Sequence, residues 1–220
     1  AGLDRINISL DTIDRERYAA LTRRDRLDHV LQAIAAADAA GLHPIKINAV
    51  VMPGVNEEDI VPLADYAVHH GAQLRFIEQM PLGPREQWRR EDMVTAEDIL
   101  ARLRTHFSMT PAREPRGSAP AALWEVSAPD GTHGTLGIIA SVTHPFCGDC
   151  DRTRLTTDGA IRNCLFGNSE TPLRDLLRSG ASDAEIMEAW AGEMWTKKPG
   201  HGIDDEGFLQ PDRPMSAIGG

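Results

Sequence analysis

Hydrophobic and polar residues alternate along two short segments near the start of the chain. These segments are 5–10, which reads RINISL, and 45–51, which reads IKINAVV, and a third strand-like run, QLRFIEQ, occupies 73–79. Successive side chains of a β-strand point to opposite faces of its sheet. The pattern therefore predicts three strands, of which the first two have one apolar and one polar face.

Helix-like segments separate these three runs. An Ala- and Leu-rich stretch over 25–40 ends before Gly41, a second helix is predicted over 57–69 after a capping Asn56, and a capping box begins a third over 95–107. Strands separated by helices indicate parallel βα units. We therefore expect an α/β fold, either a barrel or a doubly wound sheet.

The two-faced strands favour a barrel. Their apolar face would meet the helices, and their polar face would line a wet interior wide enough for a ligand. The alternative is an antiparallel sheet that faces solvent, which the intervening helices disfavour. Only three βα units are visible, too few to close a barrel. We expect that an N-terminal part is missing or that another chain covers the exposed edge.

The second half of the chain has a different character. It predicts two antiparallel hairpins, then two helices and a Gly- and Pro-rich tail. The hairpin strands are placed at 122–127 with 134–142 and at 152–157 with 160–166, and the helices at 171–179 and 183–195.

Composition and charge narrow the class of protein. The 220 residues are 41% hydrophobic and 25% charged, with a net charge of −10. No apolar run approaches the length of a membrane span, and the first residues do not resemble a secretory signal, so we expect a cytoplasmic protein with no membrane partner. The acidic balance argues against nucleic acid as the main partner, but a few local cations suffice to bind a small anion.

The three cysteines are the strongest candidates for chemistry. Cys147, Cys150 and Cys164 form a C-x2-C-x13-C pattern. Disulfide frameworks prefer even numbers of cysteines and belong to secreted proteins. Three thiolates suit a [4Fe-4S] cluster with one iron left open for a substrate atom, and the spacing favours this over a zinc site completed by His144. Three buried thiols without a metal are the third interpretation.

Several cations are candidates for binding an anion. Arg152 and Arg154 occupy alternate positions, so both are predicted to point to one face, where guanidinium groups can hold phosphate or carboxylate. Solvated surface charges are the alternative. Lys46 lies mid-strand on the predicted polar face. A buried lysine needs an anionic partner, which is either Glu78, Asp11 or a ligand.

A few further positions are candidates from their place in the chain. Ser9 lies at the carboxyl end of the first strand, where barrel enzymes place ligand contacts. Met80 and Arg75 lie around the third strand, where packing and ion pairing are their more ordinary roles. The terminal Gly219 and Gly220 would ordinarily form a frayed end, but two glycines can also thread a narrow cavity.

Taken in order, these motifs resemble those of a known family. C-x2-C-x13-C with R-x-R, preceded by R-I-N-x-S-L-D, K-x-N-x-V and R-F-I-E-x-M and followed by I-G-G, resembles GTP 3′,8-cyclase of molybdenum cofactor biosynthesis over residues 2–220. Members of that family are radical S-adenosylmethionine enzymes. The resemblance implies part of an incomplete (β/α)6 barrel in 1–110 and, in 111–220, an α+β domain that binds GTP and carries an auxiliary [4Fe-4S] cluster.

The resemblance also implies roles for individual residues. The three cysteines would hold the auxiliary cluster, whose open iron contacts the guanine of GTP. By the same resemblance, GTP is contacted by Lys46, Arg152, Thr153 and Arg154, S-adenosylmethionine is contacted by Ser9 and Met80, and catalysis is supported by Arg75, Gly219 and Gly220.

One motif of the family is absent from the sequence. In the family, an N-terminal C-x3-C-x2-C holds a second [4Fe-4S] cluster, which reduces S-adenosylmethionine to the 5′-deoxyadenosyl radical. This radical takes a hydrogen from the ribose C3′ of GTP, and the resulting carbon radical adds to C8, on the way to (8S)-3′,8-cyclo-7,8-dihydroguanosine 5′-triphosphate. We therefore expect a C-terminal portion of the enzyme that keeps the GTP-binding half and is inactive alone.

The resemblance further implies partners and leaves alternatives open. GTP and S-adenosylmethionine are the expected small molecules, cyclic pyranopterin monophosphate synthase is the expected downstream enzyme, and a homodimer is left open. One alternative function is a non-catalytic, zinc-stabilised binding module. Another is a different radical enzyme with an auxiliary cluster and another phosphorylated substrate.

Overall fold

A six-stranded sheet organises the first part of the structure, a computed structural model that describes residues 2–82, 88–211 and 213–218. The strands are β1 (Ile6–Ser9), β2 (Ile45–Val51), β3 (Gln73–Glu78), β4 (Ser108–Pro111), β5 (Ala122–Ser127) and β6 (His133–Ile139). They lie in the order β1-β2-β3-β6-β5-β4. The first four strands of this order run parallel, and β5 runs antiparallel to both of its neighbours. The expected α/β class is confirmed.

Helices cover the apolar face of this sheet. They are α1 (Arg15–Thr22), α2 (Leu27–Ala39), α3 (Ile60–His69) and α4 (Ala96–Leu103). The predicted alternation of β2 is confirmed, because its residues are in turn buried and half-buried. The buried side chains of β2 and β3 form one hydrophobic cluster with Ile34, Leu63 and Ile99 of the helices. Removing this apolar surface from water is the main stabilising contribution to the fold.

Asn56 does not cap a helix as predicted. Its Nδ2 donates to the backbone oxygens of Asp11 and Val50, each at 2.9 Å, and its Oδ1 accepts the Met52 N–H at 2.8 Å. A 3-10 turn over Glu57–Asp59 then precedes α3. The buried amide therefore joins the ends of β1 and β2, since it satisfies three backbone groups at once.

The third predicted helix is shorter than expected. Its capping box, formed by Thr95 and Asp98, is confirmed, but α4 ends at Leu103 rather than Phe107. The chain must turn there, because Ser108 already pairs with β5 as the start of the edge strand β4. The predicted β5–β6 hairpin is also confirmed, and β6 additionally pairs in parallel with β3.

A buried carboxylate fixes the end of β3. Glu78 is 0% exposed. Its oxygens accept the backbone N–H groups of Ala96 at 2.9 Å, Val142 at 2.8 Å and Thr143 at 2.9 Å, together with the Thr143 hydroxyl. These donors replace the water that the buried carboxylate has lost. Glu78 thereby ties β3 to the start of α4 and to the segment that follows β6.

A smaller antiparallel sheet organises the rest of the described chain. It contains β7 (Arg154–Leu155), β8 (Ala160–Arg162) and β9 (Thr171–Pro172), which are followed by α5 (Leu173–Arg178) and α6 (Asp183–Trp195). The predicted turn between β7 and β8 is confirmed, with Gly159 at a φ of 84°. The helix predicted from 171 begins at Leu173, because the two preceding residues pair with β8.

Contacts divide the chain into two compact units. The first unit comprises 1–79 and 90–144, and the second comprises 80–89 and 145–220. This division differs from the expected boundary after residue 110, because β5 and β6 extend the same sheet as β3. Among the described residues, none of the helices combines the length and the apolar character that crossing a bilayer requires.

Candidate functional site

Cations gather on the polar side of the parallel strands in the first unit. Asn7 of β1 lies beside Lys46 of β2, and Asn48 of β2 lies beside Arg75 of β3. Lys46 and Arg75 are half-buried, and the charge of the exposed Arg5 reaches Lys46. We call Arg5, Lys46 and Arg75 the cation face. Within the described ranges, no carboxylate forms an ion pair with any of the three.

Neighbouring amides orient Arg75. Its Nε donates to Asn48 Oδ1 at 2.8 Å, and its Nη2 donates to Asn7 Oδ1 at 3.1 Å. Gly137 of β6 is its register partner on the other side. A Cβ at Gly137 would lie 3.0 Å from Arg75 Cγ, so the missing side chain makes room for the arginine. Burial lowers the pKa of the Arg75 guanidinium from its ordinary value.

Lys46 is not paired with either carboxylate that the sequence suggested. Asp11 instead accepts a backbone N–H of β2 at 2.8 Å, and burial raises its pKa. Glu78 belongs to the opposite, buried face of the sheet. Burial, followed by the charges of Arg75 and Arg5, lowers the pKa of Lys46. These positive charges raise one another's free energy, which favours an anion on this face.

The three cysteines lie in the second unit. Cys147 begins a 3-10 turn that Cys150 closes with an N–H donated to the Cys147 oxygen at 3.2 Å, and Cys164 follows β8. All three are half-buried and free. Burial, then the neighbouring Cys164 and Cys150, raise the pKa of Cys147. Burial acts to raise the pKa of Cys150 as well, but Arg152 and Lys197 more than offset this, so that pKa is lowered.

The thiols are neighbours without forming an assembled metal site. Within 2–82, 88–211 and 213–218, no group of three or more His, Cys, Asp or Glu side chains is arranged to hold a metal ion. The structure places Cys150 and Cys164 near enough to Cys147 to raise its pKa, which is all that it shows of the predicted convergence. His144, the fourth ligand considered for zinc, belongs to the first unit, where its Nδ1 lies 3.4 Å from Glu97 Oε1.

Arg152 is bound directly to one of these thiols. Its Nε and Nη2 both donate to Cys150 Sγ at 3.4 Å, and its guanidinium carbon lies 4.5 Å from the centre of the Phe146 ring. Lys197 holds the backbone beneath it, with Nζ donating to the oxygens of Arg152 at 2.7 Å and Asn163 at 2.8 Å. These contacts place a positive group beside the C-x2-C corner.

Arg154 and Thr153 have different environments. Arg154 is half-buried on β7, and burial followed by the charge of Arg152 lowers its pKa. Its Nη1 donates to the Ile218 oxygen at 3.5 Å. The Thr153 hydroxyl donates to Met194 Sδ at 2.9 Å. The charge of Arg152 therefore reaches Arg154, while Thr153 contacts α6.

A cavity of about 560 Å³ adjoins the third cysteine within the second unit. Its lining includes Cys164, Phe166, Lys198, His201 and Phe208. Sites for small molecules in proteins have volumes of roughly 300–1,000 Å³. The cavity therefore has the volume of a small-molecule site, and Cys164 is the one of the three cysteines that lines it.

The remaining predicted residues are placed as follows. Ser9 is exposed at the end of β1, next to Asn48 in register. Met80 is half-buried after β3, and its oxygen accepts the Leu82 N–H at 2.8 Å. Gly219 and Gly220 lie outside the described residues.

Comparison with known proteins identifies the family. The family model described as Molybdenum Cofactor Synthesis C matches residues 72–203, more than half of the chain. The chain belongs to this family. The model of the Radical SAM superfamily matches residues 1–67. The cysteines, Arg75 and Arg152 thus fall in the Molybdenum Cofactor Synthesis C segment, and Lys46 falls in the segment that resembles radical SAM proteins.

Several curated relatives are closely similar to this chain over its whole length. GTP 3′,8-cyclase of Corynebacterium glutamicum is 77% identical over 223 residues, covering 100% of this chain and 59% of the relative. GTP 3′,8-cyclase 2 of Mycobacterium bovis is 58% identical over 221 residues, covering 100% of this chain and 61% of the relative. GTP 3′,8-cyclase of Mycolicibacterium smegmatis is 57% identical over the same share of each chain. The chain thus spans about three fifths of the length of these relatives.

Sequence patterns did not reveal every residue of the site in this member of the Molybdenum Cofactor Synthesis C family. The strand alternation placed Asn7 and Asn48 on the polar face, but nothing in it marked their contact with an arginine. No sequence pattern marked Gly137 or Lys197, because their roles arise from contacts with segments that are distant in the sequence.

Proposed function

We propose that this chain is the GTP-binding portion of a GTP 3′,8-cyclase, which converts GTP to (8S)-3′,8-cyclo-7,8-dihydroguanosine 5′-triphosphate in the first step of molybdenum cofactor biosynthesis. Membership of the Molybdenum Cofactor Synthesis C family and the names of its relatives support this proposal. The structural observation that carries it is the cation face. Cations with no carboxylate partner among the described residues favour an anionic ligand such as a triphosphate.

The chain's own cations supply the grip on the nucleotide. Lys46 and Arg75 bind phosphate oxygens, since an anion there relieves their mutual repulsion and the loss of hydration that burial causes. The amides that hold Arg75 fix the direction of its remaining donors. Arg152, Thr153 and Arg154 are proposed as further contacts to GTP. Arg75 is also assigned a supporting role in catalysis, which the resemblance to the cyclase family implies.

Three cysteines are the type of donor that an auxiliary [4Fe-4S] cluster takes, although the described residues do not form an assembled metal site. Cys147, Cys150 and Cys164 are free and half-buried, and the guanidinium of Arg152 favours the thiolate of Cys150, which is the form that ligates iron. We assign these three cysteines as its ligands. Ligation by these three cysteines would leave one iron open, and the cluster would then supply a Lewis acid. The protein's share is to hold the thiolates.

The remaining assignments follow from the same proposal. The strands and helices of the first unit that precede residue 110 are assigned to an incomplete (β/α)6 barrel, and the cluster, with Arg152, Thr153 and Arg154, to the second unit. Ser9 and Met80 are assigned to S-adenosylmethionine, and Gly219 and Gly220 to a tail that supports catalysis. Cyclic pyranopterin monophosphate synthase is the proposed consumer of the product, and the cytoplasm the proposed location.

Anaerobic reconstitution of the 220-residue chain tests this proposal. We expect about four irons per chain and a broad visible absorption band, with both lost in Cys164→Ser. We also expect GTP to change the electron paramagnetic resonance spectrum of the reduced cluster. A single zinc per chain, or a cluster spectrum that GTP leaves unchanged, would contradict the proposal.

A further inference from the structure

An ion-pair clasp joins the last described segment of the chain to the β7–β8 hairpin. Arg213 donates from Nη1 and Nη2 to the two carboxylate oxygens of Asp158, at 2.8 and 2.9 Å. Its Nη2 also lies 3.0 Å from Glu170 Oε2. Asp158 is in the hairpin turn and Glu170 immediately precedes β9, so one guanidinium bridges two parts of the small sheet. Bidentate pairing of this kind fixes direction as well as distance.

The clasp is mounted on rigid partners. The Thr156 hydroxyl donates to Asp158 at 2.6 Å and accepts the Ala160 N–H at 2.8 Å. Glu170 also lies 3.2 Å from Nη1 of Arg162, a residue that is 1% exposed. Arg213 therefore contacts carboxylates that are themselves held in place, which lowers the entropic cost of the pair.

The residues that follow Arg213 pack onto the same hairpin. The Thr157 N–H donates to the Ala217 oxygen at 3.3 Å, and Ile218 is 0% exposed. The Ile218 oxygen is the group that accepts from Arg154 Nη1 at 3.5 Å. The segment 213–218 thus runs from the clasp to a residue that the proposed function assigns to GTP.

We propose that Arg213 is a positioning residue, which holds segment 213–218 on the β7–β8 hairpin so that the Ile218 carbonyl sets the direction of the Arg154 guanidinium. The part of this inference that concerns the nucleotide rests on the proposed function, in which Arg154 contacts GTP. The part that concerns the clasp rests on the ion pairs alone. Arg213 pairs with Asp158 and Glu170 and does not line the cavity beside Cys164, so its effect on the site passes through the segment.

Two measurements that need no ligand test the clasp. In Arg213→Ala, we expect hydrogen exchange at the Thr157 amide and across 213–218 to become about tenfold faster or more, because local opening no longer breaks an ion pair. We also expect phenylglyoxal to modify Arg154 faster. Arg213→Lys, which keeps the charge but loses the fork, should lie between wild type and Arg213→Ala. Arg178→Ala, at an exposed arginine of α5, is the matched control and should change neither readout.

The outcomes separate the clasp from the proposed function. Unchanged exchange and unchanged Arg154 modification in Arg213→Ala, with the chain folded by circular dichroism, would overturn the inference. Where both readouts change, GTP titration is added: we expect affinity about three- to tenfold weaker in Arg213→Ala. Unaltered affinity in Arg213→Ala alongside weakened affinity in Arg154→Ala would overturn the positioning role. A wild-type chain that binds no GTP would refute the proposed function, while the ligand-free readouts still decide the clasp.

Discussion

Arg75 donates from Nε to the side-chain oxygen of Asn48, 2.8 Å away on the neighbouring strand. Asn7 accepts a second bond from the same guanidinium, and both amides are neutral. The arginine is therefore oriented without being neutralised. A carboxylate in either position would cancel the charge that a phosphate ligand needs, whereas an amide fixes geometry and leaves the charge available.

Gly137→Ala is expected to weaken GTP binding by displacing Arg75. The added methyl would lie 3.0 Å from Arg75 Cγ and 3.2 Å from both Ala121 Cβ and Leu123 Cδ2, so the arginine stem must shift relative to its amide partners. We expect affinity to fall about tenfold, which corresponds to about 1.4 kcal/mol, in a calorimetric titration. Gly134→Ala, on the same strand but crowded against Val68, is the control. Equal effects of both substitutions would mean that strand packing, rather than Arg75, explains the loss.

Because of Lys46, GTP binding is expected to weaken at alkaline pH. Its pKa in the folded chain is lowered below the ordinary 10.5, and a bound phosphate favours the protonated form. Binding therefore takes up protons, so affinity should fall as pH rises through the lowered pKa. In Lys46→Arg, the guanidinium stays charged over the same range. We expect the pH dependence of wild type to exceed that of Lys46→Arg; identical slopes would show that only the nucleotide titrates.

Glu78→Gln is expected to destabilise the first unit. The amide offers one acceptor oxygen in place of two, and its NH₂ group would face N–H donors of the surrounding backbone. We expect the free energy of unfolding in urea to fall by about 3 kcal/mol, because buried donors lose their acceptor. Glu97→Gln changes an exposed carboxylate and should have little effect. A loss of similar size in both variants would argue against the special role of Glu78.

Lys197→Met is expected to lower iron loading. Lys197 ties the backbone before β7 to the backbone after β8, so its loss should let Cys150 and Cys164 separate. The lost charge also disfavours the Cys150 thiolate. We expect several-fold less iron per chain after reconstitution, by analogy with losses at supporting residues of metal sites. Lys198→Met is the neighbouring control, and loading equal to that of Lys197→Met would contradict the prediction.

Local patterns predicted much of the first unit. The two-residue period of 45–51 predicted both the strand β2 and its buried face. The capping box at Thr95 predicted the start of α4. Helix α1 was missed because RERYAALT has no apolar face and contributes no buried residue. Strand β4 was missed because it is a short and largely exposed edge strand that ends at Pro111.

Long-range relationships were beyond local patterns. The parallel pairing of β6 with β3 brings Gly137 beside Arg75, although the two residues are 62 positions apart in the sequence (137 − 75). Arg213 meets Asp158 across 55 positions of sequence. Spacing alone brought out the cysteines and the R-x-R pair, but it did not show that Arg152 would bond directly to Cys150. Motif spacing therefore locates chemistry, while its orientation depends on tertiary pairing.

In the proposed function, the cation face binds the triphosphate of a guanine nucleotide. The most direct test compares GTP with guanosine in equilibrium titrations of the reconstituted chain, for wild type and for the double variant Lys46→Met with Arg75→Met. We predict that wild type binds GTP at least about tenfold more tightly than guanosine and that the double variant loses this preference. Equal affinity of wild type for GTP and guanosine, or a preference that survives in the double variant, would contradict the account.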